Sequence, residues 1–294
     1  MTPAFARFTA PAQRRPELWR LVLGCAVIAA CYFGWIAALG GALWLTAGPE
    51  RIEAGLRGIG TGNHPWAVIA LLATFIGPWI GVWAAVRLLH DRGLGSVIGR
   101  GPVVLRDFTA GLAVTALAAL AGLALLPAAP PLEPATPVPV WLAFLPLALI
   151  GLMIQTGAEE IVFRGYLQQQ LAARFASPLV WMVLPSILFG LAHFSPELAP
   201  TSPWLIVLVT GFFGLIAADL TARSGSIGLA WGLHFANNVI AVLIISAMSG
   251  LDGLALFRVA DPGGGALSFE TLLLADMALM ALVWALARLW LARR

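Results

Sequence analysis

The sequence contains no lysine; all 17 of its cationic residues are arginine. Charge of either sign is scarce, with 11% of the 294 residues charged against 60% hydrophobic and a mean hydropathy of +0.91. No polar block is long enough to be a soluble domain, which excludes the two-domain soluble protein that length alone would allow. The net charge of +3 is spread as Arg among short loops, so it forms no patch for nucleic acid. Cysteine is nearly absent too. Cys25 and Cys31 lie in the first apolar run without CxxC or zinc spacing, and read as small apolar residues of a membrane helix. HExxH, GxSxG and internal repeats are all missing.

What is there is apolar helix. Arg7, Arg14, Arg15 and Arg20 precede an uncharged run from Leu21 to Gly48. A signal peptide has an apolar region of only about 7–15 residues, so this run reads as a retained span. A span needs about 20 apolar residues at ~1.5 Å each. Eight segments approach that: 21–47, 66–89, 106–126, 139–158, 179–195, 203–222, 226–248 and 271–291. The fourth is expected to continue as helix to about residue 173. Pro65, Pro102, Pro139, Pro178 and Pro203 stand at or just before span starts, where a missing N–H does least harm. The expected fold is all-α: a polytopic integral membrane protein of about eight transmembrane helices around an intramembrane polar site.

Arginine is enriched in alternate connections. The N-terminal arm, residues 87–106, residues 164–174, Arg223 and the tail with Arg288, Arg293 and Arg294 carry it. Segments 127–138 and 196–202 hold only Glu133 and Glu197, and 249–270 sets Arg258 against Asp252, Asp261 and Glu270. Segment 48–65, read as a loop, mixes Glu50, Arg51, Glu53 and Arg57. The positive-inside rule then puts both termini in the cytoplasm, in agreement with an even number of spans. Low complexity is confined to a Pro/Ala stretch near 127–139 and to Gly263-Gly264-Gly265.

Against this background Glu159-Glu160-Ile161-Val162-Phe163-Arg164 is an anomaly, because a carboxylate at membrane depth is costly unless paired or wet. Glu160 and Arg164 are four apart and share a helix face, so Arg164 can neutralise Glu160. Glu159 lies about 100° round the helix and is the freer acid. Two of the four His lie in spans. If the chain turns near Ala176–Ser177, Glu159 is 17 residues before Ala176 and His193 is 17 after it, level in an antiparallel hairpin. His234 and Asn238 share a face of span seven, with Asn237 beside them, but a tilt or kink at Gly157, Pro185 or Gly190 is needed to bring them to the acids. Such a set suits peptide hydrolysis, with a carboxylate taking a proton from attacking water and Asn or His donors holding the oxyanion. A zinc ion on Glu159, His193 and His234 with a bound water is the open alternative.

The series Glu159-Glu160-x-x-x-Arg164, Phe189-x-x-x-His193 and His234-x-x-x-Asn238 resembles the CPBP family, that is, the CAAX prenyl protease 2 (Rce1-type) and bacteriocin-processing ABI proteins. The resemblance covers about 138–248 and implies an intramembrane endopeptidase core there, after a 1–20 cytoplasmic arm and a 21–137 three-span region and before a 249–294 outer loop and last helix. It implies Glu159 as the base with His193 assisting, His234 and Asn238 as oxyanion donors, and Glu160 with Arg164 shaping the site. It also implies a membrane-associated peptide or protein substrate, and leaves a zinc requirement open. The Ala- and Arg-rich composition points to a bacterial cell (inner) membrane. The alternatives are a non-catalytic scaffold or immunity factor of the same fold, and an ion-coupled transporter, against which stands the lack of paired broken spans.

Other polar residues read as structural. Asp219 is expected to pair with Arg223, Asp107 to be interfacial beside Arg106, and Asp276 to lie near the outer surface. His64 and His90 read as loop residues. Trp19, Trp44, Trp66, Trp141, Trp204 and Trp290 suit an interfacial belt, and Trp79 with Trp83 suits packing.

Overall fold

The computed structural model describes residues 1–125, 131–196, 202–247, 251–260 and 268–293. Glu197, Asp261, Gly263-Gly264-Gly265 and Arg294 lie outside the described residues, as do the side chains of Glu50, Arg51 and Glu53. The helices are α1 (Pro3–Thr9), α2 (Leu18–Ala47), α3 (Pro49–Thr61), α4 (Pro65–Thr74), α5 (Ile76–Leu88), α6 (Gly95–Ile98) and α7 (Gly101–Leu125). They continue with α8 (Val138–Glu160), α9 (Gln169–Arg174), α10 (Leu184–Leu191), α11 (Pro203–Ser224), α12 (Gly228–Val239) and α13 (Phe269–Ala292). A π-helical stretch, Ile161–Gln168, joins α8 to α9 without a break; Leu179–Val183 leads into α10 and Ile240–Ile244 extends α12 in the same way.

Among the described residues six helices are long and apolar enough to cross a membrane: Leu18–Thr46, Pro65–Leu88, Gly101–Gly122, Val138–Arg174, Pro203–Ser224 and Phe269–Ala292. The protein is a multi-pass membrane protein. The fifth and seventh expected spans form shorter apolar helices, Leu179–Leu191 and Gly228–Ile244. At ~1.5 Å per residue the first of these reaches only about 20 Å, less than the ~30 Å hydrocarbon core. Large apolar side chains point outward along the bundle, Leu45 at 77% and Leu117 at 67% exposure among them. In water that surface would be a liability; in lipid it is the solvated face. Trp83, expected to pack, belongs to it at 55% exposure, whereas Trp79 is held inside by donating to the Ile154 carbonyl at 2.9 Å.

Two connections depart from the sequence reading. Residues 49–61 form a helix rather than a loop, started by Pro49 and stopped by Gly62 in the left-handed region at φ 57°. Three short strands, β1 (Leu132–Pro134), β2 (Ile245–Ser246) and β3 (Phe257–Val259), form a sheet in the order β1-β3-β2, with β1 antiparallel and β2 parallel to β3. Such brief segments have no alternation long enough to be read in advance.

The connections sort into two ends. Strand β3 pairs with β1, while Leu251 and Gly253 donate backbone bonds to the Thr61 and Gly62 carbonyls, so the Arg-poor connections and α3 meet at one end. At the other, the Thr2 hydroxyl donates to the Ala222 carbonyl (2.5 Å), and Gln169 donates to the Phe8 carbonyl (2.7 Å). Trp284 donates to Asp219 (2.9 Å) and the Arg106 guanidinium lies over Trp290 (5.9 Å), so α13 ends here as well. Both ends of the chain therefore lie on the Arg-rich side.

Within the bundle, α7 and α12 approach through glycine. A Cβ added at Gly232 would lie 2.1 Å from the Phe108 carbonyl oxygen, and one at Gly228 would lie 2.4 Å from that of Val104. Small residues let membrane helices pack backbone to backbone, and this seam fixes the helix that carries His234. Gly232→Ala should therefore force the pair apart and lower stability by about 1–3 kcal/mol, read as a reduced thermal midpoint in detergent. An unchanged midpoint would mean that the seam yields freely.

On the Arg-rich side His90 is buried, with its Nδ1 accepting from the Gln170 amide (2.8 Å) and its Nε2–H donating to the Tyr166 hydroxyl (2.9 Å). Burial, aided by the nearby Arg92 charge, lowers its pKa to about 4. Arg92 in turn donates to Gln169 and to Gln170, the latter at 3.1 Å. A folded-state pKa below the unfolded value means that protons favour the unfolded chain. The stabilisation is full above about pH 6.5 and is lost as pH falls toward about 4. Melting temperature should drop over that window, and His90→Gln should flatten the drop; an equally steep profile in the variant would refute the role given to His90.

Candidate active site

The site grows from the end of α8. Glu159 and Glu160 occupy its last turn, and the π-helical stretch begins at the next residue. Such π segments recur at functional sites because they rotate side chains out of ordinary helical register.

Glu160 turns into protein. It is fully buried; its Oε1 accepts from Arg164 Nη1 at 3.0 Å and from His234 Nδ1 at 2.8 Å. Arg164, itself 2% exposed, lies 4.4 Å over the centre of the Phe189 ring and donates to the Gly214 carbonyl at 3.5 Å. The guanidinium is thus enclosed by a carboxylate, an aromatic face and a backbone carbonyl from three different helices. This is the clamp expected for Glu160 and Arg164, with His234 as an unexpected third member.

Glu159 turns into a cavity of about 750 Å³ with a largely apolar lining, which His193, His234, Asn237 and Asn238 also reach. Its Oε1 accepts from Gln155 Nε2 at 2.8 Å, while its Oε2 is buried without a hydrogen bond and lies 3.5 Å from His234 Nε2. Asn238 Nδ2 donates to Gln155 Oε1 at 2.9 Å. A polar chain therefore runs from Asn238 through Gln155, Glu159 and His234 to Glu160 and Arg164. Its two halves meet at His234, whose ring nitrogens face one carboxylate each. Span seven does reach the acids, through His234 on α12, and π-helical stretches follow α8, precede α10 and follow α12.

His193 stands apart from this chain. It follows the last turn of α10, packs on Phe189 at 4.7 Å between ring centres, and its Nδ1–H donates to the Phe189 carbonyl at 2.8 Å. That leaves Nε2 as its free nitrogen. His193 shares the cavity with Glu159, but no hydrogen bond or ion pair joins the two. Zinc fares poorly here. Among the described residues no three His, Cys, Asp or Glu side chains come together as a ligand set. Glu159, His193 and His234 as arranged do not fit that ion.

Gln155 escaped the sequence reading although a signal was present: it lies four residues before Glu159, on the same helix face, in an otherwise apolar span. Asp276, set aside as lying near the outer surface, lines the same cavity as Glu159. Asp107, expected at the interface, is fully buried and accepts from Arg106 (3.1 Å) and Ser226 (3.3 Å). Asp219 does accept from Arg223, at 2.9 Å to each carboxylate oxygen. His64 is no ligand; it caps α4 by accepting from the Ala67 amide.

The elements that build this arrangement coincide with a known family. Residues 139–240 match the Type II CAAX prenyl endopeptidase Rce1-like family. The matched segment, about a third of the chain, is similar to that family. It contains Gln155, the two acids, Arg164 and all four candidate catalytic residues, and it ends one residue into the π-helical turn after α12. An uncharacterized protein of Bacillus subtilis (strain 168), YyaK, is 36% identical over 116 residues. That alignment covers 39% of this chain and 38% of YyaK, well under half of either. No solved structure matches the chain.

The matched segment makes separable demands on its two acids. Removing one member of a buried ion pair strands the other and costs about 3–5 kcal/mol. Arg164→Leu and Glu160→Ala should therefore unfold the protein or sharply lower its melting temperature, while Glu159→Gln should melt close to the parent. Equal destabilisation by Glu159→Gln would show that both acids are structural.

Proposed function

We propose that the protein is a glutamate-dependent intramembrane endopeptidase that hydrolyses a peptide bond in or beside the bilayer. The observation that carries this reading is the asymmetry of the acids: Glu160 is buried and neutralised by Arg164, while Glu159 lines the cavity and is held by the neutral Gln155 amide. The Rce1-like segment supports it independently.

In this reading a water molecule lies between the Glu159 carboxylate and the scissile carbonyl. Glu159 takes one proton as the water oxygen bonds to the carbonyl carbon, and the carbonyl oxygen becomes an oxyanion. Asn238 gives one N–H to Gln155 and has a second for the oxyanion. His234, when protonated on both nitrogens, keeps Nδ1–H on Glu160 and offers Nε2–H to the same oxygen. Collapse breaks the C–N bond, and the proton held by Glu159 passes to the leaving amine, with His193 Nε2 available to assist. Gln155 orients both the base and the amide donor. Each step uses side chains alone. Substrates are membrane-associated peptides or proteins, and the protein acts in a bacterial cell membrane with both termini cytoplasmic.

The test is cleavage of membrane-anchored peptides by purified protein, with products identified by mass. Loss of the base should lower turnover by about 10²–10⁴-fold, so Glu159→Gln is expected to be nearly inactive. Asn238→Ala should lose about 10²–10³-fold. His193→Ala is expected to lie between the parent and Glu159→Gln. Full turnover by a folded Glu159→Gln would defeat the mechanism and favour a binding role.

A further inference from the structure

The mechanism leaves one cavity carboxylate unused. Asp276 lies on α13 in line with Phe269, Leu273 and Met280, and all four line the cavity that holds Glu159. Their spacing of four, three and four residues is that of a single helix face. Asp276 thus faces the cavity.

Its surroundings are unusual among the acids of the spanning helices. Glu160 has Arg164, Asp107 has Arg106 and Ser226, and Asp219 has Arg223 and Trp284. Among the described residues no hydrogen bond or ion pair reaches Asp276, and the cavity lining contains no arginine. The lining accordingly offers two carboxylates, Glu159 and Asp276, in an apolar wall. An ionisable group at membrane depth is costly without a partner, and an attraction across a low-dielectric cavity is strong.

We propose that Asp276 is a specificity-determining residue that pairs with a cationic group, an Arg or Lys side chain, on an otherwise apolar peptide bound in this cavity. The apolar wall holds the body of the peptide and the carboxylate fixes its register relative to Glu159. The same carboxylate disfavours peptides that present an acidic residue there. This rests on the peptidase reading for the nature of the ligand, but recognition can be measured apart from cleavage.

The full chain would be reconstituted in phosphatidylcholine vesicles, with no anionic lipid, in a Glu159→Gln background. Binding of three fluorescent apolar peptides that differ only at one position, Arg, norleucine or Glu, would be followed by energy transfer. The Arg peptide should bind about tenfold tighter than the norleucine peptide, and the Glu peptide weakest. Asp276→Asn should erase this order, and Asp276→Lys should move the preference to the Glu peptide. Equal binding of all three by the parent overturns the proposal, and this comparison needs no Asp276 variant to fold. An Arg preference that survives Asp276→Asn overturns it as well. Cleavage by protein carrying Glu159 is scored separately: an Asp276-dependent preference without cleavage would uphold the recognition and remove the peptidase reading alone.

Discussion

Everything in the site depends on one ion pair. Arg164 and Glu160 are both buried inside an apolar bundle, and neither would be tolerable there without the other. The pair is held on several sides: the guanidinium is stacked on Phe189 and bonded to Gly214, and the carboxylate also takes His234. The pair therefore ties the end of α8 to α10, α11 and α12 at once. Any catalytic or binding arrangement around Glu159 is built on that junction, because its neighbour in the chain is buried and bonded to two other residues.

The rest of the polar site is built outward from the same point, with few polar atoms. Gln155 reaches Glu159 in one direction and Asn238 in the other, so a single amide couples two helices across the cavity wall. The glycine seam between α7 and α12 fixes the far side by letting backbones touch. Polar side chains define the chemistry and glycines define the distance.

Much of this was legible beforehand, for physical reasons. Runs of apolar residues are unambiguous at membrane length, so the helical fold could be read, and so could the continuation of α8 to Arg174. The Glu160–Arg164 clamp follows from helical spacing alone. Less legible was whatever depends on several helices at once. The link of His234 to Glu160, the separation of His193 from Glu159 and the inward turn of Asp276 are set by helix rotation, which a periodic apolar pattern does not encode when every face is apolar. Helix α3 went unread because its charges resemble a loop, although Pro49 and Gly62 mark its ends.

The shortness of the helix Leu179–Leu191 has a further meaning. It stops before it could cross the hydrocarbon, and His193 follows directly. The last carbonyls of a helix need partners, and lipid tails have none to offer. Here the chain supplies them itself: Leu188, Gly190 and Leu191 accept from the amides of Ala192, His193 and Phe194, and Phe189 accepts from the His193 ring. The imidazole is thereby tied to its own helix end through both backbone and side chain.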